Sequence, residues 1–404
     1  MVSRARSERA RTNDTAIRLA TIELILRSGI DAISFRDVGK AAGLTHGALY
    51  ARFEDVEELL VDLWNSVLAQ RVSSLFEAVE RATTAPSEES VSAVLQRVRD
   101  AEQSDVAAVQ VLLLSRRFVI LREDVERFLH DYLEESRSRL GNAIWSRTMV
   151  LFSLIMVKIF SNSEFGLNHE RINFMQPVLI AALKIEPNDV ETFDHGEPFD
   201  RPDRPLRNDL QSQLAYSTYR AVGMSGYTKA TISRISRRAN CSPGAIYKLF
   251  PAKEDLVIFA WRRMMEDAAL SPSRVAFVLD EGVLARSLHS AASSQNDLRK
   301  FFVMEMLMAS AQNEKLRNAV GEQMLRIEDL ALTLHDIPDQ ERLHVTFMLR
   351  EVTLLTLGAA FLSTMTPVVN EINFSQFSEP FRRALQDCCF PSWSTIRSQL
   401  QAHG

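Results

Sequence analysis

Two short stretches carry the side chains with the most chemistry to offer. Thr45-His46-Gly47-Ala48-Leu49-Tyr50-Ala51-Arg52-Phe53 returns 197 positions later, without a gap, as Ser242-Pro243-Gly244-Ala245-Ile246-Tyr247-Lys248-Leu249-Phe250. Each copy joins a hydroxyl, a Gly-Ala step, a tyrosine and a nearby cation. Such groups hydrogen-bond to phosphate oxygens and base edges, and the small residues let a helix backbone approach a groove closely. This is the chemistry of recognition, not of bond making. No nucleophile elbow, phosphate-binding glycine loop, HExxH or paired-cysteine metal pattern accompanies it, and the eight histidines are scattered without ligand spacing. No catalytic residue, metal ligand or cofactor is expected.

The flanking residues indicate how these groups are positioned. Ser34 with Asp37 reads as an N-cap and its reciprocal acid before a short helix, with Val38 and Ala41-Ala42 facing inward. Gly43 permits a turn at positive φ, and Thr45 can cap the helix that follows. In the second copy Ser242-Pro243 supplies a capping hydroxyl and a proline at the first helical position. Leu44 and Cys241 fall at the equivalent turn position, Gly29 superimposes on Gly226, and Leu59 on Leu256. A preceding amphipathic helix is expected from about Thr12 to Ser28, with Ile17, Ala20 and Leu24 on its inner face. Two short helices joined by a tight turn, present twice, form a helix-turn-helix.

With these residues in view, the chain resembles the tetracycline-repressor (TetR) family of bacterial transcriptional regulators. The resemblance rests on the Ile/Val-Ser/Gly-x-x-Ala step, on Thr/Ser-x-Gly-Ala-Leu/Ile-Tyr-x-x-Phe, and on Lys253-Glu254-Asp255-Leu256, over about 50 residues per copy. It implies an all-α fold of two TetR-like halves, each a three-helix head with a helical body for ligand binding and dimerisation. The expected divisions are a first head (1–60), a first body (61–185), a linker (186–206) rich in Pro, Asp, Glu and Arg, a second head (207–257) and a second body (258–404). In the resembled family the last two long helices of each subunit form a four-helix bundle with those of the partner. Here that places helices near 142–162, 169–184, 343–365 and 374–388 together as an intramolecular pseudo-dimer. The faint repeat of Ile172-Asn173-Phe174 as Ile372-Asn373-Phe374 agrees. The implied partners are a double-stranded DNA operator and a small apolar effector; a repressor is implied, with an activator left open. The free chain is expected as a monomer, with higher assembly left open.

Charge and composition fit this picture. The chain of 404 residues carries a net charge of −5, yet residues 1–53 hold nine Arg/Lys against five Asp/Glu, and residues 201–253 hold ten against two. Basic heads on acidic bodies suit docking on phosphates in one orientation. Three cysteines, two of them adjacent (Cys388, Cys389), make no disulfide framework, so a reducing cytoplasm is the expected location. The basic start lacks an apolar segment after it and does not read as a secretory signal. The apolar run from Val352 to Val369 is interrupted by Thr and Ser and reads as a buried core helix, so no membrane partner is expected.

The heads differ. The resembled family places a phosphate-contacting lysine where the second copy has Lys253, but the first has Val56 within Glu54-Asp55-Val56-Glu57-Glu58. The first head has an arginine-rich arm, Arg4, Arg6, Arg9 and Arg11, to compensate. The DNA-contact set is therefore Arg4, Arg6, Arg36, Thr45, His46, Gly47, Ala48, Tyr50 and Arg52 in the first head. In the second it is Arg234, Ser242, Pro243, Gly244, Tyr247, Lys248 and Lys253. The two tyrosines either contact phosphate or pack. For an effector, Phe302, Met304, Met306 and Met308 are candidates in the second body, with Phe118, Phe128, Tyr132 and Trp145 in the first; ordinary helical core is the competing reading. A TetR fold that senses a ligand or binds a protein, with one or both heads off DNA, is the alternative function.

Overall fold

The computed structural model describes residues 2–160, 169–191, 209–269, 282–293, 297–334 and 339–389. Among them there are helices and connecting turns and no strand. In the first half the helices are α1 (Val2–Ser28), α2 (Phe35–Ala42), α3 (His46–Tyr50), α4 (Val56–Leu63), α5 (Ala69–Thr84), α6 (Glu88–Arg99), α7 (Gln103–Leu114), α8 (Val119–Leu140), α9 (Asn142–Phe160) and α10 (His169–Lys184). The second half contains α11 (Leu210–Lys229), α12 (Ile232–Arg238), α13 (Pro243–Leu249), α14 (Lys253–Ala269), α15 (Val283–Ser293), α16 (Asp297–Gln312), α17 (Glu314–Leu334), α18 (Asp339–Leu362) and α19 (Ser375–Cys389). The linker is described only to residue 191, with a single 3-10 turn at Pro187–Asp189; its remaining residues, and the stretch toward Gln399, lie outside the described residues.

The chain forms two compact units that do not follow the repeat: residues 1–75 with 100–135, and residues 76–99 with 136–404. In the first unit the inner face of α1 (Ile17, Ala20, Leu24) is buried with Val38 of α2, Leu49 of α3 and Leu59, Leu60 and Leu63 of α4. One expectation fails locally. Val38 faces inward, but Ala41 is exposed and Ala42 only half-buried, because a helix of eight residues has a single inner stripe. The helix after the head is interrupted by one π turn at Trp64–Leu68 before α5 continues it.

The second unit holds the four expected interface helices. α9 packs on α18, α10 on α19, and the two cross pairs also touch. Phe160 meets Phe361 at 6.2 Å and Phe174 meets Phe347 at 5.5 Å between ring centroids. The two helices approach closely at Gly358, where a Cβ would stand 2.8 Å from the backbone carbonyl of Ser153. Arg147, buried on α9, donates to the carbonyls of Gln376 (2.8 Å) and Ile185 (2.6 Å), so it ties the end of α10 to the start of α19. Burial also holds its guanidinium below the ordinary arginine value, partly offset by Glu186. Asn142–Phe160 and Arg342–Leu362 are long and apolar enough to cross a membrane, but 89% and 67% of these windows are buried inside the protein. Their apolar surface is used in packing the two halves' helices together. That is why 136–185 groups with the second half and not with its own head.

Candidate nucleic-acid interface

Each head builds its helix-turn-helix from local chemistry. Ser34 accepts from the Asp37 amide at 3.2 Å and donates to the Asp37 carboxylate at 2.6 Å, starting α2. α2 ends at Gly43 with φ +67°; the equivalent Asn240 also has positive φ, +50°. Gly29, just after α1, and Gly226, at a kink near the end of α11, share φ +81°. Leu44 and Cys241 are half-buried at the turn.

The second short helix is capped differently in the two heads. Ser242 accepts from the Ala245 amide at 3.1 Å, as the Ser-Pro start implies. Thr45 occupies the extended N-cap position of α3, but its hydroxyl makes no capping bond, contrary to expectation. Thr45 is itself an exposed residue. Ser242→Ala should therefore lower stability by about 1 kcal/mol, whereas Thr45→Ala should change it by only a few tenths. Urea midpoints of the two variants would check this, and equal losses would contradict it.

The recognition face is open in both heads. Tyr50 and Tyr247 are 57% and 54% exposed, so neither is a core residue, although the Tyr50 ring leans edge-on against Phe35 and His46. His46, Gly47, Ser242, Pro243, Gly244 and Lys248 are exposed, and Ala48 is half-buried. A Cβ at Gly47 would meet nothing within 4 Å, and at Gly244 only the Ser242 hydroxyl at 3.8 Å. No internal contact requires glycine there. Gly39, by contrast, sits at the tight crossing of α2 and α3, where a Cβ would lie 3.0 Å from the end of the Leu49 side chain and 3.1 Å from the Leu44 carbonyl.

The cations separate the heads further. In the first, Arg36 is exposed, but Arg52 is drawn inward, its Nε on Asp14 at 2.8 Å and its Nη1 on the Ala48 carbonyl at 3.0 Å. Arg18 is held by both Asp62 oxygens, at 2.9 and 3.0 Å. Arg4 and Arg6 lie in the first turns of α1, which begins about ten residues earlier than expected; their side chains lie outside those described. In the second head Arg234, Arg237, Arg238 and Lys248 are all exposed. Arg237 and Arg238 were not in the expected contact set, although they lie three and four residues beyond Arg234, the spacing of one helix face.

Lys253 is not a free cation. Its ammonium donates to the Tyr227 carbonyl at 2.7 Å and sits 4.0 Å from the centroid of the Tyr227 ring. Burial holds it below the ordinary lysine value, with Glu254 pulling the other way. Tyr227 also donates its hydroxyl to Glu254 at 2.9 Å and its backbone N–H to buried Glu305 of α16 at 2.7 Å. Burial first, and then Glu254, hold its phenol well above the usual tyrosine range. In the first head the acids around Val56 are structural: Asp55 caps α4 through the Glu58 amide at 2.9 Å, and Glu57 accepts from the Ile120 and Leu121 amides at the start of α8. Asp31 and Arg117 form a further buried pair there.

The effector candidates of the first half are divided between the two units, and those of the second lie along one helix. Phe128 stacks on Tyr132 at 5.8 Å and meets Trp64 edge-on at 5.4 Å within the first unit, with Phe118 half-buried there, while Trp145 is fully buried in the second unit. Phe302, Met304, Met306 and Met308 are all buried along α16. Phe302 and Met306 share one face of that helix and Met304 and Met308 the other, by their spacing of four.

Two helix-turn-helix units with exposed residues on their second helices define the class as a protein with two heads of the DNA-reading type. Residues 17–63 and 219–258 each match the family model of bacterial regulatory proteins of the tetR family. The two matched stretches, one in each half, are similar to the DNA-binding heads of that family and indicate a DNA-binding transcriptional regulator with two such heads. No curated protein matches it.

Proposed function

We propose that the chain is a cytoplasmic repressor whose two unlike heads bind the two halves of an asymmetric, pseudo-palindromic operator, and which a small apolar effector releases. The observation that carries this reading is the open space above Gly47 and Gly244 beside exposed Tyr50 and Tyr247. A glycine without an internal reason, on an exposed recognition helix, is explained by close approach to a groove. The proposed DNA contacts are those anticipated from sequence, with Arg237 and Arg238 added and Arg52 assigned to holding α3 on α1 through Asp14. The domains are taken at 1–60, 61–185, 207–257 and 258–404, joined by the 186–206 linker. One chain then acts as a pseudo-dimer, supported by the packing of α9 and α10 on α18 and α19.

Lys253 contacts phosphate with the N–H groups not given to Tyr227. Lys253→Ala should weaken binding to all DNA sequences and lower the slope of log affinity against log salt by about one. Weaker binding at an unchanged slope would assign the lysine to holding Tyr227 alone. For the effector, the second body offers Phe302 against Trp261 at 6.3 Å, with the indole N–H of Trp261 and the amide N–H of Gln323 buried and unbonded. These donors favour an apolar compound bearing a hydrogen-bond acceptor. Such a ligand acts only by binding the released conformation more tightly than the DNA-bound one.

A further inference from the structure

Within the packing of α9 on α18, Lys158 and Glu351 form an ion pair at 2.7 Å whose two side chains are both 0% exposed. It joins the first half of the chain to the second. Arg350, the neighbouring cation on α18, is occupied by both oxygens of Glu328 at 2.6 and 2.9 Å. The contact of Gly358 on Ser153 and of Phe160 on Phe361 keeps the surroundings tightly packed.

The pair has no counterpart across the repeat. The heads repeat at 197 positions and the Ile-Asn-Phe segments at 200, so Lys158 corresponds to a residue within Leu355-Thr356-Leu357-Gly358. Glu351 likewise corresponds to a residue within Leu151-Phe152-Ser153-Leu154. Over the whole of that range there is no second lysine and no second glutamate. Two first halves packed on each other would bury two lysines without this carboxylate, and two second halves would bury two glutamates without the lysine, their nearby Arg350 being bonded to Glu328. A buried charge that loses its partner shifts an equilibrium by about a hundred- to several-thousand-fold.

We propose that Lys158 and Glu351 are a pairing code: the α9 face of a first half accepts the α18 face of a second half and rejects a copy of itself. The partner that fits this surface is the other half of the same chain, or the other half of a second copy. The inference rests on the packing of α9 on α18 and not on whether either head binds DNA.

Full-length chains with reversed charges test it. Lys158→Glu alone and Glu351→Lys alone place like charges together, and each should shift the unfolding equilibrium toward the unfolded state by a hundredfold or more. Both changes in one chain should recover stability to within about tenfold of the parent. When the two single variants are co-expressed with different tags, the first half of each can meet the second half of the other with opposite charges restored. They should therefore co-purify as a one-to-one complex, while parent chains with the same two tags do not. Single variants as stable as the parent would overturn the proposal. So would a double variant no better than the singles, or co-expressed variants that fail to associate.

Discussion

Gly358→Val is expected to be among the most destabilising single changes in the protein. A Cβ at this position would stand 2.8 Å from the carbonyl carbon, the oxygen and the Oγ of Ser153. Two of these atoms are α9 backbone, which cannot rotate away as a side chain can. Relief requires α9 and α18 to separate, which loosens the packing of Phe160 on Phe361 and of Lys158 on Glu351. Overpacking of this kind costs about 1–3 kcal/mol for a modest insertion, and valine adds two methyl groups beyond the Cβ. Gly244→Ala provides the contrast, since its Cβ would enter open space and alanine favours a helix by up to about 1 kcal/mol. Urea denaturation of the two variants should show a large fall in midpoint for the first and little change or a small rise for the second.

Gly244→Leu should have the largest effect on DNA binding. Gly244 is exposed on α13 near Tyr247, and a Cβ there would meet only the Ser242 hydroxyl, at 3.8 Å. Folding stability should be unaffected, while the backbone is kept away from the groove. If both heads hold one operator, loss of one forfeits the gain of joined contacts, about a hundred- to ten-thousand-fold in affinity. Gly47→Leu should act in the same direction with a smaller loss. The first head has Arg52 and Arg18 engaged with Asp14 and Asp62, whereas Arg234, Arg237, Arg238 and Lys248 of the second are exposed. Titration of both variants against the same DNA compares the heads directly. Equal affinities for parent and Gly244→Leu would remove the second head from the interface.

The heads were legible in the sequence because their determinants are local. Caps, turn glycines and inner-face residues act within four positions of one another, and the repeat exposes them twice. Thr45 shows the limit of that reasoning: the residue type and position suit a cap, but the hydroxyl is not turned to make the bond. The arginine-rich start reads as an arm, yet it forms the beginning of α1, since Arg and Ala are also strong helix formers. What stayed hidden was set by distant partners. Arg52 is paired with a residue 38 positions away, Glu57 caps a helix more than 60 positions on, and Lys158 meets a carboxylate 193 positions later. Helical periodicity shows which face is buried but not what covers it. For the same reason the sequence leaves the methionine-rich stretch of α16 open between helical core and pocket wall; its residues Met304, Met306 and Met308 are buried.

The central claim is that one chain brings two unlike heads to one operator. The most direct test is a stoichiometric titration of the full-length protein on its selected DNA site, read by hydroxyl-radical footprinting. The expected result is one chain per site, protecting two half-sites of different sequence centred about 34–36 Å apart. A symmetric palindrome saturated by two chains, each contributing a single head, would contradict it.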